Sequence, residues 1–203
     1  MIRLDRSLGI SLLAAGMALA AGSAQATVVV DITQSGANVD VTATGSLDLS
    51  GATFDHVQPY STGIIPGGSN WYVALGDSPG MDWYQLTGTT LPFGSSGSYY
   101  TSAATGGDAF SIWGYDGGTP LVGLPTGYIS NTAISSSMVL PGETIAGMTL
   151  IPGTYTFATP GDTIILNISA VPEPSTWAMM LAGCLCAGFL GRRRAGQGAA
   201  SRA

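Results

Sequence analysis

The 203-residue chain has no lysine, and its six arginines all stand near the ends, at Arg3, Arg6, Arg192, Arg193, Arg194 and Arg202. Residues 27–171 therefore hold ten acidic side chains, one histidine and no Lys or Arg, a formal charge of −10. Such a surface excludes nucleic acid and anionic membranes as partners, because both need positive charge. Self-repulsion keeps it soluble, and divalent cations or basic partners remain compatible with it. Cysteine is missing from the same span, since Cys184 and Cys186 both lie in the C-terminal apolar run. That excludes a disulfide framework and a thiolate metal site from the middle. Helical periodicity is lacking too, so packing and backbone pairing must hold these 145 residues together, and they are numerous enough to do so.

The two ends read as addresses. Arg3 and Arg6 precede an uncharged, Leu- and Ala-rich run over residues 8–21, and Ala24-Gln25-Ala26 follows. A positive start, a short apolar stretch and a small-x-small cut site predict a secretory signal helix over 1–26. Ala24 and Ala26 are its small residues, the Sec machinery is its partner, and cleavage falls after Ala26. At the other end Pro172-Glu173-Pro174 is followed by Trp177, an apolar run over 178–190, and Arg192-Arg193-Arg194. The prolines cannot continue a sheet ladder and push the residues before them toward extended backbone. Trp177, Leu181, Phe189 and Leu190 fit a transmembrane helix, and the three arginines fit a cytoplasmic stop. Residues 175–191 at helical rise cover only about 25 Å against a hydrocarbon core of roughly 30 Å, so the span is a marginal one. Residues 195–203 then form a cytoplasmic tail.

This order of proline-glutamate-proline, short apolar helix and arginine cluster resembles the PEP-CTERM sorting signal, a motif also labelled the C-terminal domain of ice-binding proteins. The likeness covers residues 170–194. It implies recognition by exosortase, a membrane cysteine transpeptidase of Gram-negative bacteria that also make exopolysaccharide. Pro172, Glu173 and Pro174 would then be the sorting and processing motif, as substrate residues. The resemblance further implies export across the inner membrane, transient anchoring there through the C-terminal helix, and delivery to the cell surface or the extracellular matrix.

Between the addresses, residues 27–171 contain 22 glycines, 9 prolines and fifteen Phe, Trp and Tyr. The aromatics argue for a core and the glycine and proline for punctuation. Strand signals fall on residues 27–32 and 38–42, then 70–75, 81–86, 109–115, 145–150, 154–158 and 163–169. The last two read as an antiparallel pair. Short β-branched and aromatic runs of this kind predict an all-β ectodomain over 27–170, a single β-sandwich or jelly roll.

No chemistry stands out in it. Asp55-His56 supplies two parts of a hydrolytic triad, but no G-x-S-x-G elbow accompanies it, and extended backbone points the two side chains to opposite faces. Gly76-Asp77, Gly107-Asp108 and Gly161-Asp162 repeat one dipeptide. Asp108 and Asp162 suit turn caps, while Asp77, Asp82, Asp108 and Asp116 are the candidates for a calcium site. The ten acids select no glycosidase pair. Thr42-x-Thr44 and Thr154-x-Thr156 place threonines on one strand face, as flat ice-binding surfaces do and as strand propensity also predicts. Trp71, Trp83 and Trp113 either stack on sugars or fill the core. The expectation is a non-enzymatic surface protein without metal or cofactor, associated with exopolysaccharide. The alternatives are a polysaccharide-binding module, marked by coplanar exposed aromatics, and a secreted hydrolase. Produced alone, residues 27–171 should fold, with one melting midpoint whether or not EDTA and reductant are present. A fall of many degrees with chelator would reveal a structural calcium site instead.

Overall fold

Alternation of apolar and polar residues shapes the computed structural model, which describes residues 27–76, 80–88, 92–170, 180–182 and 184–185. The first strands are β1 (Thr27–Ser35), β2 (Asn38–Gly45), β3 (Phe54–Val57), β4 (Gly63–Ile65) and β5 (Asn70–Leu75). Then come β6 (Met81–Gln85), β7 (Thr87–Gly88), β8 (Tyr100–Thr101), β9 (Ala104–Gly107) and β10 (Phe110–Tyr115). The last are β11 (Leu121–Pro125), β12 (Ile134–Pro141), β13 (Gly153–Ala158) and β14 (Thr163–Ser169). In β1 and β2 every second side chain is buried, Val28, Val30 and Ile32 facing Val39, Val41 and Ala43 across the core side. Their two-residue connection has Gly36 at φ +60°, the positive φ that a type II′ hairpin asks of its first central residue.

The strands form two seven-stranded sheets, ordered β7-β13-β14-β1-β2-β12-β9 and β3-β6-β11-β10-β5-β4-β8. One pair, β1 with β14, runs parallel, with Thr27 beside Thr163 and Thr33 beside Ser169. A single buried cluster draws on both sheets, with Val30, Ile32 and Leu166 from the first and Trp71, Val73, Phe110 and Ile112 from the second. The described chain is thus mostly β in two sheets on a shared core, consistent with an all-β sandwich. Trp71 is wholly buried, and its seat is made by Gly114 directly across the ladder, where an added Cβ would lie 2.1 Å from the indole ring.

Seven of the eight expected runs are strands, and 163–169 pairs antiparallel with 154–158 as anticipated. Residues 145–150 are the exception. Thr144 Oγ1 accepts from Gly147 N at 2.9 Å and Thr144 O accepts from Met148 N at 2.9 Å, so the segment turns as a helix cap would. Ile145, Met148 and Leu150 still enter the main core from that turn. Ala24, Ala26, Pro172, Glu173, Pro174, Trp177, Phe189, Leu190, Arg192, Arg193 and Arg194 lie outside the described residues. Leu181 falls in a described helical stretch, residues 180–182, and is exposed. Among the described residues no helix is long and apolar enough to cross a membrane.

Without Lys or Arg nearby, the loops are fastened by carboxylates accepting from neutral donors. Buried Asp162 accepts through Oδ2 from the Asp48 amide, tying the β13–β14 turn to the segment after β2. Asp48 in turn accepts from Ser50 N at 2.8 Å and Ser50 Oγ at 2.9 Å. The Ser50 amide, then its hydroxyl, hold the Asp48 carboxyl below its ordinary value of 3.8.

Two predictions follow from this architecture. Gly114→Ala should lower unfolding free energy by about 1–3 kcal/mol through overpacking against Trp71, read by urea titration. For Asp48 the folded pKa is depressed, so its contribution is full above pH 3.8 and lost as pH falls through the lower folded value. Asp48→Asn should therefore melt below the parent at pH 6, and the gap between their melting curves should close in acid below that point.

Candidate functional site

The outer face of the second sheet is aromatic. In β5 and β10 the alternation that sends Trp71, Val73, Phe110 and Ile112 inward sends Tyr72, Trp113 and Tyr115 outward. Trp83 of β6 joins them, wholly buried with Met81, Ala109 and Leu121 in a second small cluster. Tyr60, from the loop between β3 and β4, lies across this cluster, its ring 4.7 Å from Tyr72, 5.4 Å from Trp83 and 6.2 Å from Trp113. The row continues from Trp113 to Tyr115 at 5.3 Å and from Tyr72 to Tyr99 at 5.9 Å. Its two ends are the open ones, Tyr99 at 43% exposure and Tyr115 at 40%. Burial pushes the Tyr60 and Tyr72 hydroxyls up, so both stay protonated.

This arrangement decides among the tryptophans. Trp71 and Trp83 are core residues with no ring face free for a sugar, and Trp83 Nε1 donates to Gln58 O at 3.0 Å. Trp113 is partly buried, with its indole nitrogen enclosed and without a hydrogen-bond partner. The exposed rings are Phe54, Tyr99 and Tyr115, and none is coplanar with its neighbour: the Phe54–Tyr84, Tyr72–Tyr99 and Trp113–Tyr115 pairs meet at 76°, 34° and 37°.

Beside Tyr99 an open groove of about 420 Å³ runs along the β4–β8 edge, where Tyr60, Ser61, Thr62, Tyr99, Thr101 and Thr105 line it. Its walls are braced. Tyr99 donates to Thr62 O at 2.8 Å, Thr62 Oγ1 and Ser102 Oγ share a hydrogen bond of 3.0 Å, and Thr105 Oγ1 accepts from Gly76 N at 2.8 Å. Neither Tyr60 nor Tyr99 was distinguished from the other tyrosines in sequence. The available signal was the Gly- and Ser-rich run at 94–98, which leads straight into Tyr99 and Tyr100.

Asp55 and His56 correct the expectation of opposed faces. A bulge between Phe54 and His56 breaks the alternation of β3, and Asp55 Oδ2 meets His56 Nδ1 at 2.6 Å. Gln85 Nε2 donates to the other Asp55 oxygen at 3.1 Å, and the imidazole stacks on Trp83 at 5.9 Å and 13°. The hydrogen bond from Gln85, then that from His56, hold the Asp55 carboxyl below its usual range.

Two of the acids proposed for calcium cap loops individually. Asp82 Oδ2 accepts from Gly127 N at 2.8 Å and Asp108 Oδ2 from Ser135 N at 2.9 Å. Asp77 lies outside the described residues. Among the described residues no three His, Cys, Asp or Glu side chains cluster closely enough to hold a metal ion.

The two threonine pairs, far apart in sequence, meet on the outer face of the first sheet. Register places Thr154, Asn167, Asp31, Thr42 and Ser137 in one row, and Thr156, Ile165, Val29, Thr44 and Ser135 in the next. Within the first row Thr154 Oγ1 donates to Asn167 Oδ1 and Asn167 Nδ2 to Asp31 Oδ1, each at 3.0 Å. Side chains that bond to one another along the sheet form a closed polar ladder, and Ile165 and Val29 interrupt the hydroxyls of the second row.

Compared with protein-family models, curated proteins and solved structures, the chain matches none.

Proposed function

We propose that this chain is an exported bacterial surface or matrix protein, a single β-sandwich or jelly-roll-like ectodomain over 27–170 carried between a signal helix and a C-terminal transmembrane helix. The observation that carries this reading is where the last strand stops. β14 ends at Ser169, three residues before Pro172. A domain that closes there leaves Pro172-Glu173-Pro174 as backbone that the prolines keep out of the ladder, where a membrane transpeptidase can reach it.

On this reading the chain passes through the Sec machinery, is held in the inner membrane of a Gram-negative cell by the helix containing Trp177, Leu181, Phe189 and Leu190, and is released by an exosortase-like enzyme. Arg192, Arg193 and Arg194 keep the far end of that helix cytoplasmic. The mature domain is a non-enzymatic partner of exopolysaccharide. Support for a structural rather than catalytic histidine comes from the stacking of His56 on buried Trp83.

Mass spectrometry of the protein from its native host should find a chain that starts at Thr27 and ends within residues 171–174. Mature surface protein that still carries Trp177 through Arg194 would replace this reading with a permanently tail-anchored one.

A further inference from the structure

We propose that the groove at the β4–β8 edge binds a neutral polysaccharide. This deepens the matrix reading above and gives it a site, but it rests on groove chemistry alone and stands or falls separately from sorting. The six side chains that line the groove offer hydroxyls and two aromatic rings and no charge. Sugars match that set, since their hydroxyls exchange hydrogen bonds with Ser, Thr and Tyr while their C–H faces lie on aromatic rings. Charge narrows the class. Ten carboxylates and no Lys or Arg over 27–171 repel uronate, sulfate or phosphate polymers, so the ligand is an uncharged one.

The groove is built in advance. Tyr99 packs close against β4 because Gly63 has no side chain: a Cβ there would meet the Tyr99 ring at 2.6 Å and Tyr100 O at 2.4 Å. The Tyr99 hydroxyl is fixed on Thr62 O, and its ring packs against Tyr72 while remaining exposed in part. Thr105 is held from both directions, accepting from Gly76 N and donating to Ser137 O at 3.2 Å. Side chains already ordered lose little entropy when a ligand arrives, which is the condition for useful affinity from a shallow site. The volume of about 420 Å³ lies within the roughly 300–1,000 Å³ of small-ligand sites. A polymer suits it better than a single sugar, because the groove is open at the surface.

The test uses the full chain in mild detergent at about 0.15 M salt, passed over immobilised dextran, β-1,3-glucan, cellulose and galactomannan, with alginate as the anionic control. Retention is expected on at least one neutral polymer and not on alginate. Tyr99→Ala should weaken that retention about tenfold, the loss of one stacking contact, while Tyr99→Phe stays within about threefold because the ring remains. Ser61 is exposed at the groove rim, so Ser61→Arg fills the groove without entering the core, and it should abolish retention with an unchanged melting midpoint. Absence of retention on all four neutral polymers, retention on alginate alone, or binding indifferent to both Ser61→Arg and Tyr99→Ala would overturn the site. None of those results would alter the termini found by mass spectrometry, so the groove and the sorting route can fail independently.

Discussion

A domain with ten carboxylates and no Lys or Arg has to stabilise every negative charge with neutral donors or water, and that requirement shapes its loops. Asp162 takes the Asp48 amide, Asp48 takes the Ser50 amide, Asp82 takes Gly127 N and Asp108 takes Ser135 N. Each of these bonds pins a connection to another part of the chain or closes a turn on itself. A charged acceptor makes a stronger hydrogen bond than a neutral one, so aspartates at strand ends do the work that salt bridges do elsewhere. Asp31 and Asp55 apply the same solution on the sheet surfaces, with the side-chain amides of Asn167 and Gln85 as donors. Of these, Asp162 alone is buried, and its turn is closed by Thr159 as well.

The second shaping element is the pairing of aromatic rings with missing side chains. Gly114 seats Trp71, a Cβ on Gly123 would lie 3.1 Å from the Trp83 ring, Gly63 underlies Tyr99, and a Cβ on Gly118 would strike the Tyr115 ring. Glycine is costly in a strand because it orders a flexible backbone without adding packing. Here the large apolar area of the ring laid over it offsets that cost. The high glycine content, which in a chain poorer in aromatics would signal disorder, is thus part of how the rings fit together.

This complementarity also explains what could be read from the sequence. Where β-branched and aromatic residues were concentrated in short runs, as in β1, β5 and β14, strand positions followed from pattern alone. β12 escaped because its inward series is Ile134, Ser136, Met138 and Leu140, and the serine breaks the apolar period. Ser136 Oγ is buried without a hydrogen-bond partner, so the residue that obscured the strand is also an energetic flaw in it. Residues 145–150 misled in the opposite sense, since β-forming residues there answered to the Thr144 cap and to spacing that buries Ile145 and Met148 one turn apart. The Asp55–His56 contact depended on a bulge, which has no local signature in Phe54-Asp55-His56-Val57. The meeting of Thr42 with Thr154 depended on the parallel pairing of the first and last strands, a long-range choice that local pattern does not encode.

That same pairing bears on how the proposed surface protein would present itself. β14, the strand leading to the proposed anchor, sits inside its sheet between β13 and β1 rather than at an edge. Pulling on it strains two ladders at once, and the strand cannot peel away as an edge strand would. β9, which contributes Thr105 to the groove, lies at the far edge of that sheet, four strand spacings from β14, or roughly 19 Å. A glycan lying at Tyr99 would therefore contact the domain across the sheet from β14, the strand leading to the proposed anchor. Binding at the β9 edge leaves the end of β14 free for processing, so engaging matrix and being released need not obstruct each other.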